Sequence, residues 1–274
     1  MRKRIYSYKV GSKGARTLSR ASNIILLKHT NSIYRPRSWD KIINWGSSVM
    51  QPRLLESGAT IFNRPELADR CANKLKFYRL MQEHGIRVPT WTTNRGEVIE
   101  WLDGGDTVFA RTLLTGHSGR GIIKVEPDDI DGLYPLDILP RAAVYTKYFK
   151  KKEEYRLHFY SYSTPVGTHS HCFFKQRKAK RRDTDTEDVD YQVRTYDNGF
   201  KFVFGRDLGP VPEVVEDAAE YAFFVSGLDF GAVDVMYNEH CNEACVVEIN
   251  TAPALEGETT INNYVGVVNQ LINN

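Results

Sequence analysis

The chain has 274 residues, 41% hydrophobic and 26% charged, with a formal net charge of +3. That length can bury a sizeable core in one large or two to three small subdomains. No run approaches the ~20 apolar residues that a bilayer crossing needs, and Met1-Arg-Lys-Arg-Ile-Tyr leads straight into a polar turn, so a soluble, unexported, cytoplasmic protein is expected. So small a net charge does not by itself argue for nucleic acid. The scattered Cys71, Cys172, Cys241 and Cys245 form no metal-spaced or redox pair and read as structural thiols.

Ile5–Val10 reads as a strand, Gly11-Ser-Lys-Gly14 as a tight turn, Ala15–Ala21 as a helix, and Ile24–Leu27, Lys41–Trp45 and Ala59–Phe62 as further strands. Together they make a small α/β unit. Asn73–His84 is helical, with Leu75, Tyr78 and Met81 on one face and Gly85 as its stop before Ile86-Arg-Val-Pro89. Val108–Arg111 and Ile122–Val125 are strands flanking Thr112-Leu-Leu-Thr-Gly116-His-Ser-Gly119-Arg-Gly121, a loop whose backbone N–H groups can surround phosphate oxygens. Ala142–Phe149, Tyr155–Tyr160, His171–Lys175 and Phe200–Phe204 are strands of mostly antiparallel sheets. Pro212–Ser226 is an amphipathic helix, and a last helix covers Asn262–Ile272. The run from Lys175 to Arg182, followed by Asp183-Thr-Asp-Thr-Glu-Asp-Val-Asp190, reads as a solvated loop with opposed charge blocks.

Near the C-terminus, Gly231-Ala-Val-Asp234-Val and Cys245-Val-Val-Glu248-Ile-Asn250-Thr-Ala-Pro253 are β-rich runs joined by a polar turn, a hairpin pattern. Side chains repeat every two residues along a strand, so Glu248 and Asn250 share a face that Asp234 on the partner strand can join. Unpaired carboxylates in otherwise apolar strands cost several kcal/mol to bury. A hard cation such as Mg²⁺, completed by substrate phosphates, would remove that cost, and the donor set is a poor one for zinc.

From Asn63 to Pro253 these pieces, in order, resemble the ATP-grasp superfamily, in particular the ribosomal-protein glutamate ligases and related carboxylate-amine ligases. Asn73-Lys74-Leu-Lys-Phe-Tyr-Arg-Leu-Met-Gln-Glu-His-Gly85-Ile-Arg-Val-Pro89 is similar to that family's helix-plus-Val-Pro segment, and Val-Val-Glu248-Ile-Asn250-Thr-Ala-Pro253 to its metal strand. Some bacteriophages carry stand-alone proteins of this type, and the short N-terminal unit would suit one.

The resemblance implies an α+β fold with an N-terminal α/β subdomain over 1–68, a central subdomain over 69–143 and a C-terminal subdomain over 144–274. The last two would clamp ATP between antiparallel sheets. It assigns Lys74, Arg111 and the loop of Gly116, Ser118, Gly119 and Gly121 to the phosphates, Lys147 and Phe149 to adenine through main-chain groups, and Glu154 to the ribose. Asp234, Glu248 and Asn250 would hold Mg²⁺, with Mn²⁺ as a substitute. Arg156 and Arg194 would act on the transferring phosphoryl group. Lys175, Arg177 and Thr251 would meet the substrate, with Glu256–Thr259 lining the acceptor pocket.

The implied reaction is attack of a substrate carboxylate on ATP, giving an acylphosphate that an amine then captures, with a peptide or protein as one acceptor. Departures from the pattern are Arg111 for a usual Lys, Lys147 where relatives often have Glu, and Ala232 where some have Arg. Three other readings stand beside it: a small amino-acid or dipeptide ligase, a catalytically silent ATP-binding scaffold, and a nucleic-acid binder using the basic run with Tyr160, Tyr162 and Phe173. The acidic block beside the basic run weakens the last.

Overall fold

The computed structural model describes residues 1–115, 119–130, 135–185, 187 and 189–273. Strands β1 (Lys3–Ser7), β2 (Ile25–Leu26), β3 (Lys41–Trp45) and β4 (Thr60–Phe62) form a parallel sheet in the order β2-β1-β3-β4. Helix α1 (Lys13–Ser22) crosses from β1 to β2, its N-terminus capped by the Ser12 hydroxyl, which accepts from Ala15 N. Ser12 in that cap makes the glycine stretch a helix start. The short helix α2 (Pro52–Leu55) precedes β4.

Helices α3 (Pro65–Ala72) and α4 (Lys74–Glu83) follow, separated by Asn73, whose side chain caps α4 through Leu75 N and Lys76 N. A four-stranded antiparallel sheet then comprises β5 (Trp91–Thr92), β6 (Val108–Arg111), β7 (Ile122–Val125) and β8 (Val144–Lys147) in the order β5-β8-β6-β7. Helix α5 (Arg95–Asp103) covers it through Val98, Trp101 and Leu102, and α6 (Pro135–Ile138) leads back toward β8. β8 belongs to this small sheet, whose last strand ends at Lys147.

The third sheet is antiparallel, ordered β11-β10-β9-β12-β13, from β9 (Glu153–Thr164), β10 (Gly167–Lys180), β11 (Phe200–Val203), β12 (Phe230–Asn238) and β13 (Glu243–Asn250). Helix α7 (Glu213–Ser226) buries Val215, Ala219, Ala222 and Phe223 against one face of this sheet, where Leu157, Phe159, Val233, Val246 and Ile249 meet α4 from the other flank. The C-terminal helix α8 (Glu258–Asn273) ties the large sheet to the N-terminal unit. Its Tyr264 and Val268 share a core with Ile5, Leu18, Trp45 and Phe230. Trp45 stacks on Phe230 at 5.5 Å and meets the Tyr264 ring edge-on at 5.3 Å.

The large sheet differs from the sequence expectation in one respect. The basic run from Lys175 is strand as far as Lys180, because β10 is hydrogen-bonded on both sides and its cations find partners on both faces. A run of cations with no apolar face hides such a strand from a pattern search. Among the described residues no helix is long and apolar enough to cross a membrane.

Candidate active site

The face of the large sheet opposite α7 is charged. Cross-strand register places Arg156 of β9 beside Asp234 of β12, Asp234 beside Glu248 of β13, and Ala232 beside Asn250. A β-bulge separates Asp234 from Val235 in this pairing. On β13 it lets Val246 and Ile249, three residues apart, both reach the core while Glu248 and Asn250 stay on the site face.

The carboxylates meet two cations. Arg156 grips Asp234 with two hydrogen bonds, Nε to Oδ1 at 2.6 Å and Nη2 to Oδ2 at 2.7 Å, the geometry a planar guanidinium offers a carboxylate. Its guanidinium lies 4.2 Å from the centre of the Phe202 ring. Lys74 Nζ reaches from the first turn of α4 to Glu248 Oε2 at 2.5 Å and to Val247 O at 3.3 Å. Asn250 Nδ2 donates to Glu248 Oε1 at 3.1 Å and to Asp234 Oδ2 at 3.3 Å. Burial works against ionisation of Glu248, but Lys74 and then Arg156 hold it well below the usual carboxylate range. Burial, with Glu248 nearby, pushes Asp234 up against the pull of Arg156.

A second cluster lies next along the same face. Glu154 receives Lys151 Nζ on Oε1 at 2.9 Å and Lys178 Nζ on Oε2 at 2.7 Å. Burial opposes its ionisation, yet Lys178 and Lys151 together lower its pKa. The resemblance named Glu154, but Lys151, Lys178 and Gln176 were not singled out. For the two on β10 the signal was the two-residue period: Gln176 pairs with Arg156 across the strands and Lys178 follows it on the same face.

The other expected residues divide. Arg111 ends β6, its Nε buried with no hydrogen-bond partner among the described residues, an orphaned donor of the kind an anion satisfies. Gly119 and Gly121 both take φ of +75°, where side-chain-bearing residues are strained; a Cβ on Gly121 would also lie 2.9 Å from Leu113 Cγ. Gly119 packs toward Thr195 Cγ2 of the C-terminal part, and Leu114 O, at the start of the loop, accepts from Lys74 N at 2.9 Å. Gly116 and Ser118 lie outside the described residues, as does His117.

Lys147 directs its side chain to Asp106 at 2.5 Å and over the Trp101 ring. The Phe149 ring lies under the Arg87 guanidinium. Arg194 is buried over Phe200 at 5.2 Å, its Nε donating to Tyr191 O and its own O accepting from Lys178 Nζ. It stands with the Glu154 cluster rather than beside Arg156.

Lys175 and Arg177 are not brought to the site. Lys175 pairs with Glu216 of α7 at 2.5 Å, and Arg177 is spent on Leu208 O, Asp207 O and Glu153. Both stand opposite Leu157 and Tyr155 in the register, residues of the face that packs on α7. Thr251 is buried where the N-terminal unit closes on the large sheet: Gly46, at φ of +78°, could carry no Cβ without reaching 2.5 Å from Ala252 Cβ, and Gly14 approaches Trp45 and Pro253 O.

His158, one pair along β9 from Arg156, is 1% exposed, between Tyr264 Oη on Nδ1 at 2.8 Å and Gln176 Oε1 on Nε2 at 2.9 Å. Gln176 Oε1 only accepts, so Nε2 carries the proton and Nδ1 accepts from Tyr264. Burial lowers the His158 pKa to about 3. The unfolded chain therefore takes up a proton near pH 6.5 that the native state refuses until about pH 3, so this contribution to stability is complete above pH 6.5 and is lost as pH falls toward 3. The slope is at most about 1.4 kcal/mol per pH unit. Urea unfolding of the wild type at pH 7 and pH 5 should show this loss, and His158→Gln should show less of it. Equal losses would mean that other groups govern the acid limb.

Among the described residues no group of three or more His, Cys, Asp or Glu side chains is placed to hold a metal. The Asp234, Glu248 and Asn250 set offers two carboxylates and an amide, hard oxygen donors that fit magnesium if the Asn250 amide turns its oxygen inward. A cleft of about 750 Å³ lies elsewhere, between the N-terminal unit and α3 and α4, lined by Met50, Asp69, Arg70, Lys76 and Arg79.

No family model matches the sequence, and no curated protein is detectably similar to it in sequence. Solved structures do match in fold. The ATP-grasp ligase PsnB complexed with minimal precursor, Mg and ADP superposes at a TM-score of 0.66 with 12% identity, over 98% of this chain and 97% of that one. D-alanyl-alanine synthetase A from Vibrio cholerae O1 biovar eltor gives 0.67 at 13%, over 100% and 99%. A RimK domain protein from Sphaerobacter thermophilus gives 0.61 at 15%, over 100% and 98%. With three sheets in this order and near-complete overlap with such structures, the chain has the ATP-grasp fold.

Proposed function

We propose that the protein is an ATP-dependent carboxylate-amine ligase that adds an amino acid to a peptide or protein acceptor. The observation that carries this reading is the half-buried face on which Asp234, Glu248 and Asn250 converge between Arg156 and the buried Lys74. Burying two carboxylates and two cations is costly and gives little net stability, so such a cluster is better explained by ligand chemistry than by folding. Two of the similar structures, an ATP-grasp ligase complexed with Mg and ADP and a D-alanyl-alanine synthetase, support the same reading.

In this proposal ATP lies between the small sheet and the large one. Main-chain groups of Lys147 and Phe149 meet adenine, and Glu154 meets the ribose from its lysine clasp. Lys74, Arg111 and the glycine loop of 116–121 hold the phosphates. Asp234, Glu248 and Asn250 would hold magnesium, or manganese in its place, which would supply charge neutralisation toward the terminal phosphates. The substrate carboxylate attacks the γ-phosphorus and releases ADP, forming an acylphosphate; the amine then attacks the acyl carbon and phosphate leaves. Little covalent help is needed from the protein beyond placement and electrostatics. Arg156 stabilises charge on the transferring group, assisted at longer range by Arg194. Thr251, where the N-terminal unit meets the end of β13, borders the acceptor.

The test is ADP release from Mg-ATP with separate pools of amino acids, peptides and cell extract. Release that depends on a peptide or extract pool is the expected result. Release with free amino acids alone would favour a dipeptide ligase, the activity named for the Vibrio cholerae neighbour. ATP binding without release in any pool would overturn the ligase reading in favour of a silent scaffold.

A further inference from the structure

The small total charge hides a split molecule. Residues 1–62 hold twelve of the 37 Lys and Arg but two of the 34 Asp and Glu, a net of +10, so the remainder, with 25 against 32, stands at −7. One of the two acids, Asp40, is buried and already taken: it accepts from Arg2 Nε, Nη2 and N, from Arg37 N and from Tyr34 Oη. The side chains of Lys9, Lys13, Arg16, Arg20, Arg35 and Arg37 are exposed, and none of them enters an ion pair among the described residues.

The topology gathers these cations into a band. Helix α1 joins two parallel strands, so it runs back along the sheet, from the edge where β1 ends to the edge where β1 begins. Lys13, Arg16 and Arg20, at spacings of three and four, form a stripe on its outer face about 10 Å long. Ala15 and Leu18 take the buried face. Arg20 thus arrives at the edge that also holds Arg2 and the 35–37 stretch, where Arg2 Nη2 donates to Arg35 O at 3.0 Å. Flat stacks stand there: the Arg2 and Arg4 guanidiniums each lie 4.8 Å from the Tyr34 ring centre, and Arg37 lies 5.4 Å from that of Trp39, which is 57% exposed.

A long band of one sign ending in an exposed ring suits a polyanion that brings flat faces with its charges. Phosphates meet the cations while an unpaired base stacks on Trp39. An acidic peptide would satisfy the charge but brings a ring only where it carries an aromatic residue, whereas every nucleotide of a single strand has one, and a duplex keeps its bases covered. We infer that the N-terminal unit is a docking surface for single-stranded nucleic acid, running along α1 and round to Trp39. This does not depend on the ligase reading, since none of these side chains belongs to the carboxylate face.

The experiment is fluorescence anisotropy of a labelled 20-nucleotide single-stranded RNA with the whole protein, without ATP, between 50 and 200 mM salt. Affinity should fall linearly with salt on logarithmic axes. Each lost phosphate contact removes about 0.7 from the slope on a single strand, so R16A/R20A/R37A should lower it by about two. R16K/R20K should keep the wild-type slope. Trp39→Ala should weaken binding roughly tenfold and leave the slope alone. Binding that ignores salt, a triple variant with the wild-type slope, or tighter binding of duplex DNA or of poly-glutamate than of the RNA would overturn the inference.

Discussion

Glu248→Gln is expected to lower Mg-dependent ATP turnover by about a thousandfold while the protein remains folded. The amide keeps the shape of the side chain and an oxygen to accept from Lys74, which in the wild type bonds Glu248 Oε2 and Val247 O. What it loses is one of the two negative charges of the site, and with it most of the attraction for a dication. Lys74, freed of its counter-ion, adds a positive charge where the cation should sit. Removing a single well-aimed electrostatic partner from a buried reaction centre costs roughly a hundred- to a thousandfold in other enzymes, and here a charge rather than a dipole is removed. Turnover, nucleotide affinity with and without magnesium, and the thermal midpoint should be measured together. Unchanged turnover would remove the metal assignment; lost turnover with a collapsed midpoint would instead make Glu248 a structural partner of Lys74.

Much of this site could be read in the chain because it breaks a pattern. Asp234, Glu248 and Asn250 interrupt strands that are otherwise apolar, and the two-residue period put Glu248 and Asn250 on one face, as they stand in the sheet. Arg156, in a strand of aromatic and aliphatic residues, was named only through the family resemblance. What escaped was everything set by long-range pairing. The bulge after Asp234 changes which β13 residues face the core without any sign in composition. Lys175 and Arg177 looked like site residues because they lie in a basic run, but alternate positions of β10 point to opposite faces, and the ones that face the carboxylates are Gln176 and Lys178. The Lys74–Glu248 pair joins positions 174 residues apart, a contact that no local signal encodes. The same holds for the charge split: net charge summed over the whole chain conceals a boundary that becomes meaningful only once residues 1–62 are seen as one parallel sheet with its helices.

The larger structural effect is expected at Arg156. Arg156→Leu leaves Asp234 in the sheet without its two guanidinium bonds, both side chains of the pair being about 15% exposed. Asn250 Nδ2, at 3.3 Å, is the remaining donor to that carboxylate among the described residues. Breaking one side of a buried pair costs about 3–5 kcal/mol, which for a chain of this size is a fall of roughly 10 °C in the midpoint. Asp234→Asn in the same background removes the stranded charge and should recover most of that loss, because a neutral amide can be buried beside an apolar side chain at far smaller cost than a carboxylate. The double variant should still fail to turn over ATP, since it has neither the cation that would stabilise the transferring phosphoryl group nor the anion that would hold magnesium. Stability and activity therefore separate at this pair. If the double variant were as unstable as the single one, Arg156 would hold the sheet through its stacking on Phe202 rather than through Asp234; if it regained turnover, the reaction would not run on this face at all.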